Sequence, residues 1–448
     1  MKLFCISTLI FFLGIHPIFA GNIPIDNDYV ELENMLKQKT TAKEKINTLT
    51  ALIDAEPEYT SADTFISQIR LLLELNKKEN LIQTPPYDAM LKGFLFWKEK
   101  SYRNALNEFV NCIVLFDKQK KVMGFRSILS RIRIFYNYLN LDEDQLQFYT
   151  EKLHYYQTHG PSENMAACYH GLADYYALKF DLNRAINNYL KAAEIFKPFS
   201  PRGYFFEIGN VGGAYFEWGN YEKAEYHIKK ALESHNSTND YYNQCYCLIY
   251  LSRIRVGQHQ FQEAITYADK CVSISRKKND LPHLAIGLAE RAIVELETNL
   301  PVSSLKSLRE SDSIGHLINL PSYSIYGYFE VDFYAYKNYL FLNDMKKAEA
   351  SLLEAYQQAK TARSGNLVLK YIKELSGFYG ERNNINLSHS YGRIYIDMSD
   401  SIGQAENNYN IAQFENEQKE RDQEKNIKSL KQERNIYELF NYWHFMER

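Results

Sequence analysis

The chain has 448 residues, 45% of them hydrophobic and 24% charged, which is an ordinary globular composition with enough length for a large core. Its formal net charge of -3 at pH 7 argues against the strongly basic surface that nucleic-acid-binding proteins use. The chain contains only 11 prolines and 20 glycines, and this scarcity of turn-forming residues favours long helices over a β fold.

The first 20 residues have the layout of a secretory signal peptide. Lys2 supplies the positive charge, residues 3–15 form an apolar run, and the small residue Ala20 precedes Gly21, where a signal peptidase would cut. An uncleaved membrane anchor is the alternative, but the apolar run is short for a span. No cysteine stands at the expected cut, which argues against a lipid anchor. We therefore predict an exported, periplasmic protein cut after Ala20.

Residues 21–85 come before the repeats. The stretch GNIPIDND is typical of a loose leader, whereas YVELENMLKQ, TAKEKINTLTALID and SADTFISQIRLLLELNKK have the apolar spacing of helices. We expect residues 21–85 to form an irregular N-terminal helical cap.

From residue 86 onward, a pattern of small and aromatic residues recurs about every 40 residues. In the clearest copy, the small residue Gly212 is followed by Tyr215 and then by Ala224 and Ala231. The same offsets occur in two other strong copies and, more weakly, around Ala264 and Ala348. The pattern residues of the three strong copies are Gly93, Phe96 and Ala105; Ala173, Tyr176 and Ala185; and Gly212, Tyr215, Ala224 and Ala231.

This order of small residue, aromatic residue, turn and spaced alanines resembles the tetratricopeptide repeat family. The likeness is clearest over residues 86–119, 166–199 and 205–238, and spacing extends it over residues 86–400. It implies an all-α fold, a right-handed α-solenoid of about eight helix pairs that stack to bury their apolar faces. Because the period is about 40 rather than the family's 34, we expect longer helices or longer connections.

Two glycines in the clearest copy lie at positions where glycine is unfavourable for helix formation. Gly212 and Gly213 lie inside a predicted helix, although glycine there costs about 1 kcal/mol relative to alanine. We expect the missing side chain of Gly212 to let the second helix of the pair approach, with Ala224 as its small counterpart, so that packing offsets the cost. Gly213 should lie on the adjacent face.

The resemblance also implies a binding surface. In the family, the first helix of each pair lines a concave groove, and exposed aromatic residues flanked by charge suit the capture of a peptide. The groove positions that match this chain are Tyr87, Trp97, Lys98, Tyr138, His170, Asp174, Phe216, Glu217, Tyr246 and Arg253. The alternative is that the superhelix itself buries several of these side chains.

Residues 401–448 differ from the repeats. Residues 415–426 contain no apolar side chain and so break the pattern of a coiled coil, but Glu415 and Lys419 form the first of three helix-stabilising i,i+4 pairs. We expect a long charged helix with coiled-coil-like character, and a disordered tail is the alternative. The apolar face of residues 435–446 suits contact with a membrane surface or a partner helix.

The whole arrangement resembles the extracytoplasmic part of bacterial, Bacteroidetes-type, membrane-bound sensors and regulators. In that group, an exported repeat array runs into a charged helix, a membrane span, and a cytoplasmic histidine kinase or LuxR-type DNA-binding domain. The likeness rests on the composition of DSIGQAENNYNIAQFENEQKERDQEKNIKSLKQERN and the repeats before it. This chain lacks the span and the output domain, so the resemblance implies either a truncated sensor or a freestanding input or scaffold protein in envelope signalling.

The sequence shows no signature of catalysis. It contains no GxxxxGK[ST], GxSxG or HExxH motif, which are patterns that bind phosphates, activate a serine or hold zinc. Five scattered cysteines after residue 21 fit no disulfide framework and are typical of small buried residues. We predict no enzymatic activity, no cofactor and no metal, and an enzyme built on a helical toroid is the remaining alternative. The favoured function is binding of a protein or peptide, with no nucleic-acid partner.

Overall fold

A computed structural model describes residues 29–39, 41–55, 61–119, 126–198, 200–318, 320, 323–324 and 327–407. The predicted signal peptide and the tail beyond residue 407, including its coiled-coil-like and apolar parts, lie outside these residues. Among the described helices, none combines the length and apolar character needed to cross a membrane.

The described residues form nineteen helices and one short hairpin. In chain order the elements are α1 (Tyr29–Gln38), α2 (Ala42–Ala55), α3 (Ala62–Glu79), α4 (Pro85–Lys98), α5 (Tyr102–Lys118), α6 (Arg126–Tyr138), α7 (Asp142–His159), α8 (Ser162–Leu178), α9 (Leu182–Phe196), α10 (Pro201–Glu217), α11 (Tyr221–Ser237), α12 (Tyr241–Gly257), α13 (Phe261–Lys278), α14 (Leu281–Glu297), α15 (Pro301–Ile318), β1 (Tyr323–Ser324), β2 (Gly327–Tyr328), α16 (Val331–Phe341), α17 (Met345–Thr361), α18 (Gly365–Gly380) and α19 (Ile385–Asn407). From α4 onward, consecutive helices make eight pairs, α4 with α5 through α18 with α19. This arrangement confirms the predicted all-α repeat solenoid.

The turn inside each pair uses one residue in the left-handed conformation. Such a residue ends a helix by redirecting the chain while backbone N–H groups reach back to the last carbonyls. Seven of the eleven non-glycine residues with positive φ in the described chain are asparagines, which tolerate this conformation better than most residues. The turn residues of the first six pairs are Lys100, Asn140, Phe180, Gly219, His259 and Asn299. Because these residues recur every 39 or 40 positions, they set the period that the sequence pattern shows.

The two helices of a pair cross closely at a small residue. In the pair α10 and α11, a Cβ on Gly212 would lie 2.7 Å from Cγ1 of Ile228 and 3.1 Å from its backbone nitrogen, so a larger residue does not fit. Ala224 and Ala231 are fully buried on the facing helix. The local helix cost of Gly212 is therefore offset by close packing.

Two less regular repeats have a hydrogen bond at this crossing, between residues twelve positions apart. The Ser252 hydroxyl donates to the carbonyl of Ala264 at 3.0 Å, and the Ser304 hydroxyl donates to the carbonyl of Ala292 at 2.7 Å. A serine side chain is almost as small as alanine, and its buried hydroxyl is satisfied by the facing backbone. The two helices therefore also cross closely in repeats where the pattern of small and aromatic residues is weak.

Gly213 has a different neighbour from Gly212. A Cβ on Gly213 would lie 2.7 Å from the hydroxyl oxygen of Tyr246 and 3.3 Å from the Tyr250 ring, both on α12. This second glycine therefore allows the first helix of one pair to approach the first helix of the next pair.

The first helices of neighbouring pairs contact one another, since α6 packs on α8, α10 on α12, α12 on α14 and α14 on α16. They therefore line the inner side of the curve, as expected for a stacked helical repeat. At the N-terminal end, α3 packs on α4 and α2 on α6. The Ser127 hydroxyl donates to the carbonyl of Ile53 at 2.8 Å, which joins α2 to the start of α6.

We expect Gly212→Leu to destabilise the chain by about 1–3 kcal/mol or more, because overpacking would push α11 away from α10. Gly209→Ala is the matched control in the same helix, since its Cβ would make only ordinary contacts, the nearest at 3.6 Å with Ala231. That control should be neutral or stabilise by up to about 1 kcal/mol. Thermal or urea unfolding checks both, and equal stability of Gly212→Leu and the wild type would contradict the crossing geometry.

Candidate functional site

Residues far apart in sequence meet where the start of α18 reaches the second, third and fourth helix pairs. The Arg363 guanidinium pairs with the Asp142 carboxylate, with one Nη–O distance of 2.6 Å, and Lys179 Nζ reaches the same carboxylate at 2.8 Å. The Asn366 side chain donates to the Glu217 carboxylate. We call these five residues the clasp. They hold the C-terminal part of the solenoid against its earlier repeats.

Within the clasp, Arg363 and Lys179 stabilise the charged form of the Asp142 carboxyl. Although burial would raise the pKa of the Asp142 carboxyl, its hydrogen bonds to Arg363 and Lys179 hold that pKa below its ordinary value. Only 13% of the Asp142 side chain is exposed, so the contact is a partly desolvated, charge-assisted one rather than a loose surface pair.

A pocket with an empty volume of about 500 Å³, part of it open to solvent, lies beside the clasp. The end of α8, the first half of α9, the inner faces of α10 and α12, Tyr328 of β2 and the start of α18 form its walls. Its aromatic and polar lining residues are Tyr189, Asn210, Glu217, Tyr246, Tyr250, Tyr328 and Asn366, and Leu178, Phe180 and Leu182 contribute apolar surface. We call this space the clasp pocket. Its lining combines apolar and aromatic surface with a few polar groups, as the lining of ligand sites in proteins does.

Glu217 has an unusual environment in this pocket. Burial raises the pKa of its carboxyl to about 7, against the lowering effects of the Tyr328 hydroxyl and Arg253. Its Oε1 atom is buried and has no hydrogen-bond partner among the described residues. Since folding raises this pKa from 4.5, the folded chain holds a proton that the unfolded chain has released. The stabilising contribution of Glu217 is therefore fully present below about pH 4.5 and is lost as the pH rises through 7.

A buried ionic cluster lies next to Glu217. Arg253 Nε donates to Glu290 at 2.8 Å, and its Nη2 donates to the carbonyl of Tyr328 at 3.0 Å. Lys370 Nζ pairs with Glu330 at 2.7 Å. Each cation is thus already matched to a carboxylate, and Glu217 is the carboxylate of this group without a dedicated cation.

A second buried cluster joins α6, α8 and α10. Arg133 pairs with Asp174, and His170 Nδ1 contacts Glu207 at 3.0 Å. Burial alone would lower the pKa of His170, but the carboxylates of Glu207 and Asp174 raise it to about 9. His170 is therefore an imidazolium at neutral pH and acts as a packed ionic link between the inner helices.

Two of the sequence-predicted groove residues, Glu217 and Tyr246, line the clasp pocket. Sequence reasoning missed Asn210, Tyr250 and Asn366. Tyr250 lies one helical turn after Tyr246, so the tyrosine spacing on α12 was a usable signal. Asn366 is brought in by a contact spanning 149 residues, and no local pattern marks it.

Three of the predicted groove residues are buried in the interior of the described structure. Tyr87 is fully buried, and its ring meets Phe116 edge-on at 5.3 Å between ring centres. His170 and Arg253 are 3% and 8% exposed and belong to the ionic clusters. The physical reason is that inner helices and the N-terminal helices pack directly over these positions. Asp174, a further predicted groove residue, forms an ion pair with Arg133 inside the second ionic cluster.

The remaining candidates lie outside the clasp pocket. Trp97 packs edge-on against Phe135 at 5.3 Å, and Lys98 pairs with Asp63 at 2.6 Å. Phe216 packs edge-on against Tyr250 at 5.5 Å. Tyr138 is 58% exposed but stacks on Tyr102 at 4.9 Å. The structure thus does not join the ten predicted positions into one continuous groove.

The cysteines and metal-binding residue types form no further site in the part of the chain that the structure describes. Its five cysteines, Cys112, Cys168, Cys245, Cys247 and Cys271, are all buried and unpaired, as small packing residues would be. No group of three or more His, Cys, Asp or Glu side chains in the described ranges is arranged to hold a metal ion.

No protein-family model matches the sequence, and no curated protein matches it. Solved structures do match by fold. The APC/C hetero-tetramer Cut9–Hcn1 has a TM-score of 0.50 and 15% identity, over 76% of this chain and 58% of that one. A Rap protein complexed with competence and sporulation factor has a TM-score of 0.48 and 12% identity, over 85% of this chain and 97% of that one.

The apo form of the quorum sensor NprR from B. thuringiensis has a TM-score of 0.43 and 16% identity, over 83% of this chain and 92% of that one. At these identities the likeness is one of fold. The stacked helix pairs and the fold likeness to Cut9–Hcn1 confirm the predicted all-α repeat solenoid.

We expect Asp142→Asn to loosen the clasp, because it removes the carboxylate that Arg363 and Lys179 share. Hydrogen exchange of the backbone amides at residues 364–367 should be about fivefold faster, corresponding to about 1 kcal/mol. The matched control is Asp63→Asn, which breaks the Lys98 pair between the adjacent helices α3 and α4 and should leave those amides unchanged. Identical exchange in Asp142→Asn and wild type would show that the clasp does not hold α18 in place.

Proposed function

We propose that this chain is an exported helical-repeat module that binds a protein partner by holding one or two residues of a peptide segment in the clasp pocket. The observation that carries the proposal is the pocket itself, because tyrosine rings and side-chain amides converge there on inner helices. Elsewhere on the inner side, the ionic clusters occupy the positions that an open groove would use.

The chemistry of the lining suits a peptide. Tyrosine rings bury large area with little loss of side-chain entropy, and Tyr246 and Tyr250 lie side by side with ring centres 4.8 Å apart. Asn210 and Asn366 each carry an amide oxygen that can accept a hydrogen bond from a peptide N–H, while the Asn366 nitrogen donates to Glu217 and to the Tyr328 hydroxyl. Apolar surface from Leu178 and Leu182 completes a site for a partly apolar segment.

We infer a binding role rather than a catalytic one. Among the described pocket-lining residues, Glu217 is the single carboxylate and no histidine, lysine or arginine is present. Acid–base catalysis usually pairs two groups with different proton affinities, and this lining offers one such group. We therefore propose that the clasp pocket binds a ligand without transforming it.

The proposed setting is the bacterial envelope, with the chain as a scaffold or an input component of signalling. The last described helix favours the signalling form, because α19 exposes Ile385 and Ile396, whose spacing puts them on one helical face, and a stacked repeat covers such a face with a further element. A truncated sensor of a histidine kinase or LuxR-type regulator is the second candidate. A reading frame directly downstream that encodes a membrane span and an output domain would favour it.

The peptide proposal is tested by selecting a display library of random peptides on the full chain and measuring Kd for the enriched sequences. Ala177→Trp should weaken binding at least about tenfold, corresponding to about 1.4 kcal/mol, because Ala177 lines the pocket and the larger ring would fill it. Tyr138→Ala removes an exposed ring outside the pocket and should bind like wild type. Thermal melts establish that both variants are folded.

Absence of any enriched peptide, or equal Kd values for Ala177→Trp and wild type, would refute the clasp pocket as a peptide site. Loss of binding in Tyr138→Ala but not in Ala177→Trp would place recognition at the C-terminal end of α6 instead.

Export is tested by expressing the full chain with a C-terminal tag in a Gram-negative host and sequencing its N-terminus. We expect a periplasmic product that begins at Gly21, because the apolar run and Ala20 suit signal peptidase. The double substitution Leu9→Arg and Phe12→Arg interrupts the apolar run and should retain the product in the cytoplasm. A wild-type product that keeps Met1 in the cytoplasm would refute export.

A further inference from the structure

The clasp pocket combines one acidic group with aromatic walls. Of its fifteen lining residues, Glu217 alone belongs to the Asp, Glu, Lys, Arg and His types. Four tyrosines, Tyr189, Tyr246, Tyr250 and Tyr328, supply rings around the same space. Aromatic faces attract cations, and the attraction grows when water is excluded. The lining therefore offers both components of a site for a positively charged group.

The charges around the pocket leave Glu217 as its available counter-ion. Arg253 is committed to Glu290 and to the Tyr328 carbonyl, and Lys370 is committed to Glu330. Glu217 accepts a hydrogen bond from the neutral Asn366 amide, while its Oε1 has no partner among the described residues. The ionisable groups are the carboxylates of Glu217, Glu290 and Glu330 and the cations of Arg253 and Lys370. When all five are ionised, one additional positive charge would neutralise the cluster.

We propose that the clasp pocket recognises a cationic nitrogen of the bound peptide, with Glu217 as its counter-ion and the tyrosine rings as its walls. The cation is either the guanidinium or ammonium of a basic side chain or the peptide's N-terminal amine. This inference rests on the proposed peptide-binding function and names the chemical group that the pocket selects. Glu217 is thereby the residue that determines specificity.

A proton must leave Glu217 when the cation binds. With a pKa of about 7, about a tenth of Glu217 is ionised at pH 6 and about nine-tenths at pH 8, so affinity for the cation rises about tenfold over that range. The groups that face Glu217 are Arg253, Glu290, Glu330, Lys370 and the tyrosine hydroxyls. Burial also raises the pKa of Glu290. Because either carboxyl could then make the affinity for the cation depend on pH, the Glu217 variant is needed to tell them apart.

The test uses small probes and the full chain. Calorimetry measures the binding of N-acetyl-arginine amide, N-acetyl-lysine amide and glycinamide, with N-acetyl-citrulline amide as the neutral isostere of the first probe. We expect a cationic probe to bind at least about tenfold more tightly than the citrulline probe, as a charge-assisted contact requires, and to release about half a proton at pH 7, where Glu217 is about half ionised. Preference for the acetylated probes identifies a side chain as the source, and preference for glycinamide identifies the N-terminal amine.

Glu217→Gln keeps the shape of the side chain and removes its charge, so it should abolish both the preference for the cation and the pH dependence between pH 6 and 8. The matched control is Glu222→Gln, which makes the same charge change at an exposed position of α11 and should behave like wild type. Equal binding of the arginine and citrulline probes, unchanged discrimination in Glu217→Gln, or no binding of any probe would overturn the inference. If library peptides bind through the pocket without a basic group, the peptide function stands and this inference fails.

Discussion

The close crossing of the two helices in each pair is the contact on which the rest of the structure depends. In the pair α10 and α11 the helices approach so closely that a residue larger than glycine does not fit at Gly212, and in the next pair the Ser252 hydroxyl donates to the facing carbonyl of Ala264. Each pair becomes a thin unit that leaves an apolar face on both sides. Stacking then buries those faces, and the solenoid follows from the repetition of one local contact.

The second constraint is the length of the repeat. Left-handed turn residues recur every 39 or 40 positions over the first six pairs, so each unit is longer than the 34 residues usual for this repeat type. The curve that results brings α18 back to α7, α8 and α10, where Arg363 meets Asp142. Since the inner helices then contact one another, the inner surface is mostly packed, and the clasp pocket is a space left beside the closing contact.

Packing of the inner helices places many charges away from water. Burying an ion costs several kcal/mol unless a partner and hydrogen bonds compensate it, and the inner charges are accordingly matched: Arg133 with Asp174, Arg253 with Glu290, and Lys370 with Glu330. Glu217 departs from this rule, and burial raises its pKa for that reason. A buried carboxylate without a cation in a lined pocket is a feature that a ligand can complete, whereas the matched pairs serve to hold the helices together.

Local sequence determined the repeat architecture of this protein. Small residues and aromatic residues at constant offsets, such as Gly212, Tyr215 and Ala224, specify a helix, a turn and a close crossing within one unit, because each of these contacts joins residues near in sequence. Tertiary structure alone decided which inner positions remain accessible. Tyr87 and Arg253 satisfy the family's groove positions yet are buried, while Glu217 meets Asn366 through a contact between residues 149 positions apart. The curvature that creates such contacts is a sum of small rotations over many repeats, and no short stretch of sequence records that sum.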